Sequence, residues 1–174
     1  MLDRIIRAIR LDPGLYRKVA DDEGLTGEAV VIVVVVALIG ALGVAFSADQ
    51  GLLAYILQVI NSLLVGWLLW AVVAYFVGNA LGGRSSIGEM ARTLGYANAP
   101  RLLSVFGFIP CIGWIISLIG WVLSLAAAVI GIRESMEFDT TKALITAGIG
   151  FLVYLIAAIV IGIVFGSFAI PSQF

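Results

Sequence analysis

Five polar side chains interrupt the long apolar stretches of this sequence, and their types limit the chemistry available there. Three are amides, one is a hydroxyl and one is a guanidinium: Gln58, Asn61, Ser62, Asn98 and Arg101. Amides and hydroxyls donate and accept hydrogen bonds without changing charge, so this cluster can join helices, hold a polar solute or line a polar path. The same stretches contain no carboxylate, the usual mark of a proton or sodium pathway.

Arg101 is the one charged residue of this cluster, and its sequence context leaves three roles open. A guanidinium at this depth can extend toward the headgroups, pair with Glu89, or bind a lipid phosphate. For the amides, hydrogen bonding between helices and a substrate or lipid site both fit the pattern.

A second polar group lies in Ser85–Leu103, the longest polar break between the two apolar halves. Ser86 and Glu89 have the spacing of a capping box, which predicts that a helix begins there. Glu89, Arg92 and Tyr96 recur at helical spacing on one face of that helix. We take these three as a candidate interfacial site on the cytoplasmic side.

The helix that begins in this polar break is predicted to cross the membrane as Ser86–Phe108. Pro100 should kink it, because proline lacks an N–H and its ring clashes with the preceding turn. The polar face of this helix then needs hydrogen-bond partners inside the membrane. The stripe Gln58–Ser62 is the nearest supply in the sequence.

The residue inventory argues against an enzyme. The chain has no histidine, the usual general base and commonest metal ligand, and its single cysteine, Cys111, cannot form an intrachain disulfide. Phosphate-loop, zinc-protease and nucleophile-elbow motifs are absent as well. We expect no catalytic residues, metal or cofactor, and a formal net charge of −1 gives no reason to expect nucleic acid.

Overall composition places these residues in a lipid bilayer. Hydrophobic residues make up 62% and charged residues 12% of the chain, and the mean hydropathy is +1.15, whereas soluble domains carry roughly 25% charged residues. Apolar runs of about 20 residues cross the hydrocarbon core as helices. We predict an all-α polytopic bundle over 25–174 with five crossings: Gly27–Phe46, Gly51–Leu81, Ser86–Phe108, Ile112–Ile132 and Thr141–Phe168.

Residues 1–24 are predicted to form a cytoplasmic amphipathic leader. One helical face is apolar and the remaining arc is basic: Leu2, Ile5, Ile6 and Ile9 against Arg4, Arg7 and Arg10. Such a helix lies on a membrane surface and binds anionic lipid. Asp12 and Pro13 then have the pattern of an N-cap and first residue of a second short helix. A solvated leader with incidental periodicity is the alternative.

The basic residues predict the orientation of the bundle. With five crossings and a cytoplasmic N-terminus, every lysine and arginine other than Arg101 falls on the cytoplasmic side, as the positive-inside rule favours. Fusing 100–132 into one helix would give four crossings and place Arg133 and Lys142 outside. We therefore predict a multi-pass protein of the cell membrane with its C-terminus outside.

Gly162 and Gly166 form a G-x-x-x-G pair in the last predicted crossing. Glycines at this spacing let another helix approach closely. The approaching helix belongs either to the same bundle or to a second copy, so a homo-oligomer and a protein partner both stay open.

Short motifs spread over nearly the whole chain resemble the Yip family of membrane proteins. In order along the chain they are Leu11–Tyr16, Gly82–Ser85, Leu94–Pro100, Gly131–Arg133 and Thr140–Leu144. The five-span layout is similar too. The resemblance implies a Yip-like membrane domain of the short prokaryotic type. The family's eukaryotic members interact with Rab GTPases and are associated with Golgi and vesicle traffic.

Two functions from different classes fit these observations. The first is a non-enzymatic scaffold or membrane-organising, trafficking-type protein, favoured by the missing catalytic groups and the two amphipathic cytoplasmic segments. The second is a small transporter or channel whose polar path runs through the intramembrane cluster. One continuous wet cavity along that cluster would favour transport, and hydrogen bonding in a dry core would favour the structural role.

Overall fold

The computed structural model is helical throughout the residues it describes, 1–45, 51–109 and 111–168, and these contain no strand. The N-terminal part comprises α1 (Leu2–Ile9), α2 (Pro13–Asp21), a 3-10 turn (Glu23–Leu25) and α3 (Thr26–Ala45). The next long segment comprises α4 (Gly51–Leu63), a π turn (Leu64–Leu69) and α5 (Trp70–Ala80). The remainder comprises α6 (Ile87–Ala97), a 3-10 helix (Ala99–Phe108), α7 (Gly113–Met136) and α8 (Thr140–Phe168).

Four helical segments of the described part are long and apolar enough to cross a membrane. They are Glu23–Leu42, Leu52–Ala80, Gly113–Met136 and Thr140–Ala157, and they correspond to four of the five predicted crossings. Large apolar side chains along them are exposed, such as Leu52 at 74% and Trp114 at 66%. Exposed apolar surface on this scale is what a lipid-facing bundle presents.

The remaining predicted crossing consists of two helices of different type. Ser86 and Glu89 make the predicted capping box: Ser86 Oγ accepts from the Glu89 N–H at 3.1 Å and the Glu89 carboxylate accepts from the Ser86 N–H at 3.2 Å. That prediction is confirmed. The α-helix ends at Ala97, and the chain continues as the 3-10 helix with Pro100 in its first turn. The structure does not confirm a single helix kinked at Pro100.

The α6 segment and the 3-10 helix run antiparallel to α7 along most of its length. Three glycines of α7 mark the contact: Gly113 against Gly107, Gly120 against Pro100, and Gly131 against Thr93. A Cβ on Gly120 would lie 2.8 Å from the Pro100 carbonyl oxygen, so glycine is required for this approach. Along an α-helix with a rise of about 1.5 Å per residue, Gly113 and Gly131 are about 27 Å apart.

Helix α6 lies at the centre of one end of the bundle, where it contacts α1, α2, α3, α5 and α7. Its Met90 and Leu94 are fully buried, together with Leu15 and Tyr16 of α2. Of the 10 lysines and arginines, all except Arg101 lie on segments that meet here: Arg4, Arg7, Arg10, Arg17, Lys18, Arg84, Arg92, Arg133 and Lys142. We call this the basic end, and the end where α7 begins, at Gly113, the opposite end.

Candidate functional site

Arg92 joins α6 to the leader at the basic end. Its Nε donates to the Val19 carbonyl oxygen at 3.2 Å and its Nη2 to the Ala20 carbonyl oxygen at 2.6 Å, and the residue is only 6% exposed. The last carbonyls of a helix have no partner within the helix, and a cation there also complements the helix dipole. Arg92 is therefore a C-terminal cap for α2 that another helix supplies.

Glu28 and Tyr96 hold α1 through a chain of hydrogen bonds. The Tyr96 hydroxyl donates to Glu28 Oε2 at 2.6 Å, and Arg4 donates to the same carboxylate through Nε, at 2.8 Å, and Nη2. The hydrogen bond to Glu28 raises the pKa of the Arg4 guanidinium. Tyr96 is fully buried. The guanidinium predicted to meet lipid headgroups is instead bound to the protein.

The leader is also fixed internally. The Tyr16 hydroxyl donates to the Ala8 carbonyl oxygen at 3.1 Å, and burial raises the pKa of Tyr16. Asp12 caps α2 by accepting from the Gly14 N–H at 3.0 Å, as predicted, and Arg7 donates to its other oxygen at 2.8 Å. That bond from Arg7 holds the pKa of Asp12 below its ordinary value.

The apolar face of α1 is divided between the bundle and its surroundings. Ile5 and Ile9 pack against the core, whereas Leu2 is 76% and Ile6 is 48% exposed. Two of the four apolar residues of the predicted stripe thus point away from the protein.

The candidate interfacial group of Glu89, Arg92 and Tyr96 is bonded within the chain. Arg92 and Tyr96 are buried, and Glu89 completes the capping box while also accepting from Ser85 Oγ at 3.0 Å. The prediction that the Gln58–Ser62 stripe supplies partners for this face is wrong. The partners of Arg92 and Tyr96 come from α2 and α3, because the leader and the start of α3 pack against this face of α6.

Four of the five predicted intramembrane polar residues line a common cleft. A cavity of about 90 Å³ beside α3 is lined by Gln58, Ser62, Asn98 and Arg101. A second cavity, of about 80 Å³, shares Asn98 and Arg101 and adds Gly66, Trp70, Trp121, Ser124, Leu125 and Phe151. Asn61 is not among the lining residues of either cavity. We call the two cavities together the Arg101 cleft.

Asn98 orients the guanidinium at the centre of the Arg101 cleft. Its Oδ1 accepts from Arg101 Nη1 at 3.3 Å, while its Nδ2 donates to the Leu94 carbonyl oxygen at 2.8 Å. Asn98 is 5% exposed, so its amide has a fixed position. Each cavity is well above the roughly 10–15 Å³ that one water needs. The cleft therefore has room for water or for a small polar group.

The π turn places two tryptophans differently. Trp67, 8% exposed, donates its indole N–H to the Ala91 carbonyl oxygen at 2.9 Å and thus packs against α6. Trp70 Nε1 is buried and has no hydrogen-bond partner among the described residues. It lies against Gly150 of α8, where an added Cβ would approach it to 2.6 Å. The sequence interpretation missed Trp70 Nε1.

Three further sequence predictions concern metal binding, the cysteine and the glycine pair. Among the described residues, no group of three or more His, Cys, Asp and Glu side chains could hold a metal ion. Cys111 is a free, exposed thiol with a positive φ of 67°. Gly162 and Gly166 fall within α8, but their packing lies outside the described part of the chain.

Long apolar helices and an extensive exposed apolar surface define a polytopic α-helical membrane protein. Residues 9–163 match the model of the Yip1 domain. Because this match covers most of the chain, the protein belongs to the Yip family, and the resemblance seen in the sequence motifs is confirmed. Comparison with curated proteins and with solved structures gives no match.

Proposed function

We propose that the protein is a non-enzymatic membrane-organising scaffold that fixes an amphipathic helix at the cytoplasmic surface of the cell membrane. The observation that carries this proposal is the docked leader. Arg92 holds α2, the Glu28–Tyr96 pair holds α1, and Leu2 and Ile6 remain exposed. A free amphipathic helix exchanges between water and lipid according to its affinity. A docked helix has a fixed depth in the membrane. Every copy therefore inserts the same apolar wedge, formed by Leu2 and Ile6, into one leaflet.

The basic end carries exposed cations that can contact anionic headgroups, but all acidic residues except Asp49 lie on the same segments, so its net charge is not positive. Arg10, Lys18 and Arg84 are exposed there. Each basic residue near an anionic surface adds about 1 kcal/mol of attraction. The wedge and the exposed cations therefore act on the same leaflet.

Five crossings, with the leader 1–24 inside and the C-terminus outside, are part of the proposal. The α6 segment and its 3-10 helix follow α7 for about 27 Å, close to the roughly 30 Å of a hydrocarbon core. A crossing at this position also keeps all basic segments on one side, as the positive-inside rule favours.

Cys111 tests the crossing number, because it lies at the turn between the 3-10 helix and α7. A membrane-impermeant maleimide applied to intact cells should label Cys111, which is exposed. Lys18→Cys in a Cys111→Ser background marks the basic end, and it should react only after the cells are opened. Labelling of both thiols from the same side would exclude five crossings.

Vesicle size tests the membrane-organising role. The full chain, reconstituted in liposomes of phosphatidylcholine with phosphatidylglycerol, should reduce vesicle diameter relative to protein-free liposomes. Leu2→Gln with Ile6→Gln should abolish the reduction, since the wedge is gone while the docking contacts remain. Ile87→Gln is the matched control, because Ile87 is 45% exposed at the same end but is not on α1. Equal diameters with wild type and double variant would reject the proposal.

A small transporter or channel is the second candidate, favoured because the two cavities of the Arg101 cleft share Asn98 and Arg101. A continuous path would have to pass this pair. Chloride and glycerol flux into proteoliposomes should then exceed flux into protein-free liposomes, and Asn98→Leu should block it. Flux at the protein-free level for wild type would remove this candidate.

A further inference from the structure

The 80 Å³ cavity of the Arg101 cleft has an apolar wall at the side of the bundle where α7 and α8 meet. Trp121 and Leu125 of α7 and Phe151 of α8 line it there, and we call it the Trp70 cavity. The rings of Trp121 and Phe151 meet edge to face with their centroids 6.3 Å apart. Trp121 is 43% exposed on the apolar surface of the bundle. The cavity therefore borders the hydrocarbon phase through these two rings.

Trp70 contributes one polar group to this largely apolar cavity. Its indole N–H can only donate, Nε1 is buried, and no described residue accepts from it. A buried donor without an acceptor is costly. An oxygen atom that enters the Trp70 cavity would accept this hydrogen bond.

The hydrophilic side chains that line the Trp70 cavity are engaged within the chain. Ser124 Oγ donates to the Ala97 carbonyl oxygen at 2.7 Å. The Asn98 amide accepts from Arg101 and donates to the Leu94 carbonyl oxygen. A buried water needs roughly two to four polar partners, whereas a carbonyl oxygen on an apolar molecule needs one donor and apolar walls around its carbon atoms. One donor in an apolar wall favours the carbonyl compound.

The depth of the Trp70 cavity indicates where such a molecule comes from. Helix α7 has 24 residues and is about 36 Å long, slightly more than the roughly 30 Å of a hydrocarbon core. Trp121 and Leu125 lie about 12 and 18 Å along it from Gly113. The cavity is thus level with the interior of the bilayer, where a charged ligand is strongly disfavoured. A neutral molecule dissolved in the hydrocarbon reaches it directly.

We propose that the Trp70 cavity binds a neutral lipophile through its carbonyl oxygen. Trp70 Nε1–H is the hydrogen-bond donor, and Trp121 and Phe151 contact the apolar part of the ligand. The site goes beyond the membrane-organising role, because none of its residues lies on the leader.

The indole N–H resonances of the full chain in maltoside micelles test this. The chain has four tryptophans, and the Trp70 signal is the one that Trp70→Phe removes. Methyl heptyl ketone should move this signal to lower field until it saturates, because a new hydrogen bond deshields the proton, and nonane should not. Trp67, already bonded to Ala91, should not respond, and Trp114, 66% exposed, reports unsaturable uptake into the micelle.

Two results of this titration would overturn the proposal. In the first, the Trp70 signal follows Trp114 without saturating, so the ketone only dissolves in the micelle. In the second, Trp70 exchanges magnetisation with water before ketone is added and does not move afterwards, so water fills the cavity.

Gly66 allows the site to be blocked without a clash. It lines the Trp70 cavity, and a Cβ added to it would lie in open space. Gly66→Leu should therefore narrow the cavity and weaken ketone binding on the order of tenfold or more. Gly148→Leu is the matched control, because Gly148 has equally open surroundings on α8 but does not line the cavity, and it should keep the wild-type response. A wild-type response in Gly66→Leu, or its loss in both variants, rejects the site. Should Gly66→Leu fail to fold, the titration of the wild-type chain still decides.

Discussion

Replacing Arg92 by methionine should release the leader without unfolding the bundle. Methionine keeps most of the apolar stem but removes the guanidinium that bonds to Val19 and Ala20 at the end of α2. The rest of α6 packs through other side chains, of which Met90 and Leu94 are fully buried.

The expected decrease in the free energy of opening α2 follows from these two hydrogen bonds. Each hydrogen bond to a charged group is worth about 1.5–3 kcal/mol. Arg92 is only 6% exposed, so solvent does little to weaken them. The carbonyls of α2 regain water when its end opens, so we take the lower limit of the pair, about 3 kcal/mol. At 1.4 kcal/mol per factor of ten, amide exchange through opening of α2 should be roughly 100-fold faster.

Hydrogen exchange read by mass spectrometry of the full chain in micelles measures this. Peptides from 13–21 should exchange faster in Arg92→Met, whereas peptides from α7 should keep their wild-type rates. Arg92→Lys should give a smaller effect, since a single ammonium cannot reproduce the fork. Arg84→Met is the control, because Arg84 is exposed at the same end. Equal acceleration in α2 and α7, or none in α2, would refute the capping role.

Two further predictions concern acid and a close helix contact. The pKa of Asp12 is lowered by Arg7, so its stabilisation is complete above the ordinary carboxyl pKa and is lost as pH falls through the lowered value. After correction for the intrinsic pH dependence of exchange, protection of α1 amides should therefore fall below about pH 4. Asp12→Asn should weaken that dependence, and the rest comes from the Glu28 carboxylate that holds Arg4. A Cβ on Gly95 would lie 2.9 Å from the Ala29 Cβ, so Gly95→Ala should cost about 1–3 kcal/mol of bundle stability. Gly27→Ala, with open space around it, should not lower the denaturation midpoint, and equal midpoints for the two variants would contradict the close contact.

Local signals in the sequence predicted local structure well. The capping box at Ser86 and the Asp12 cap depend on residues two or three positions apart, and the structure confirms both. The apolar environment of the bilayer explains why Gln58 and Asn98 line the same cleft. Polar groups are excluded from lipid, so they collect wherever helices face each other.

Hydrogen-bond partners that are distant in the sequence were not predictable in the same way. Tyr96 bonds to Glu28 over a separation of 68 positions, and Arg92 to Ala20 over 72. Hydrophobic periodicity does not identify which helices are neighbours. An amphipathic leader is equally compatible with binding to lipid or to protein. The 3-10 helix Ala99–Phe108 was not predictable either, because Pro100 indicates that an α-helix is interrupted but not which structure follows.

The π turn Leu64–Leu69 makes the second membrane segment behave as two half-helices with different faces. Its hydrogen bonds close one residue later than those of an α-helix, which is the effect of a one-residue insertion. Each residue turns an α-helix by about 100°, so an insertion rotates everything that follows. Ser62, before the turn, thereby lines one cavity and Trp70, after it, the other. The length of this segment, and not only its side chains, therefore controls the cleft.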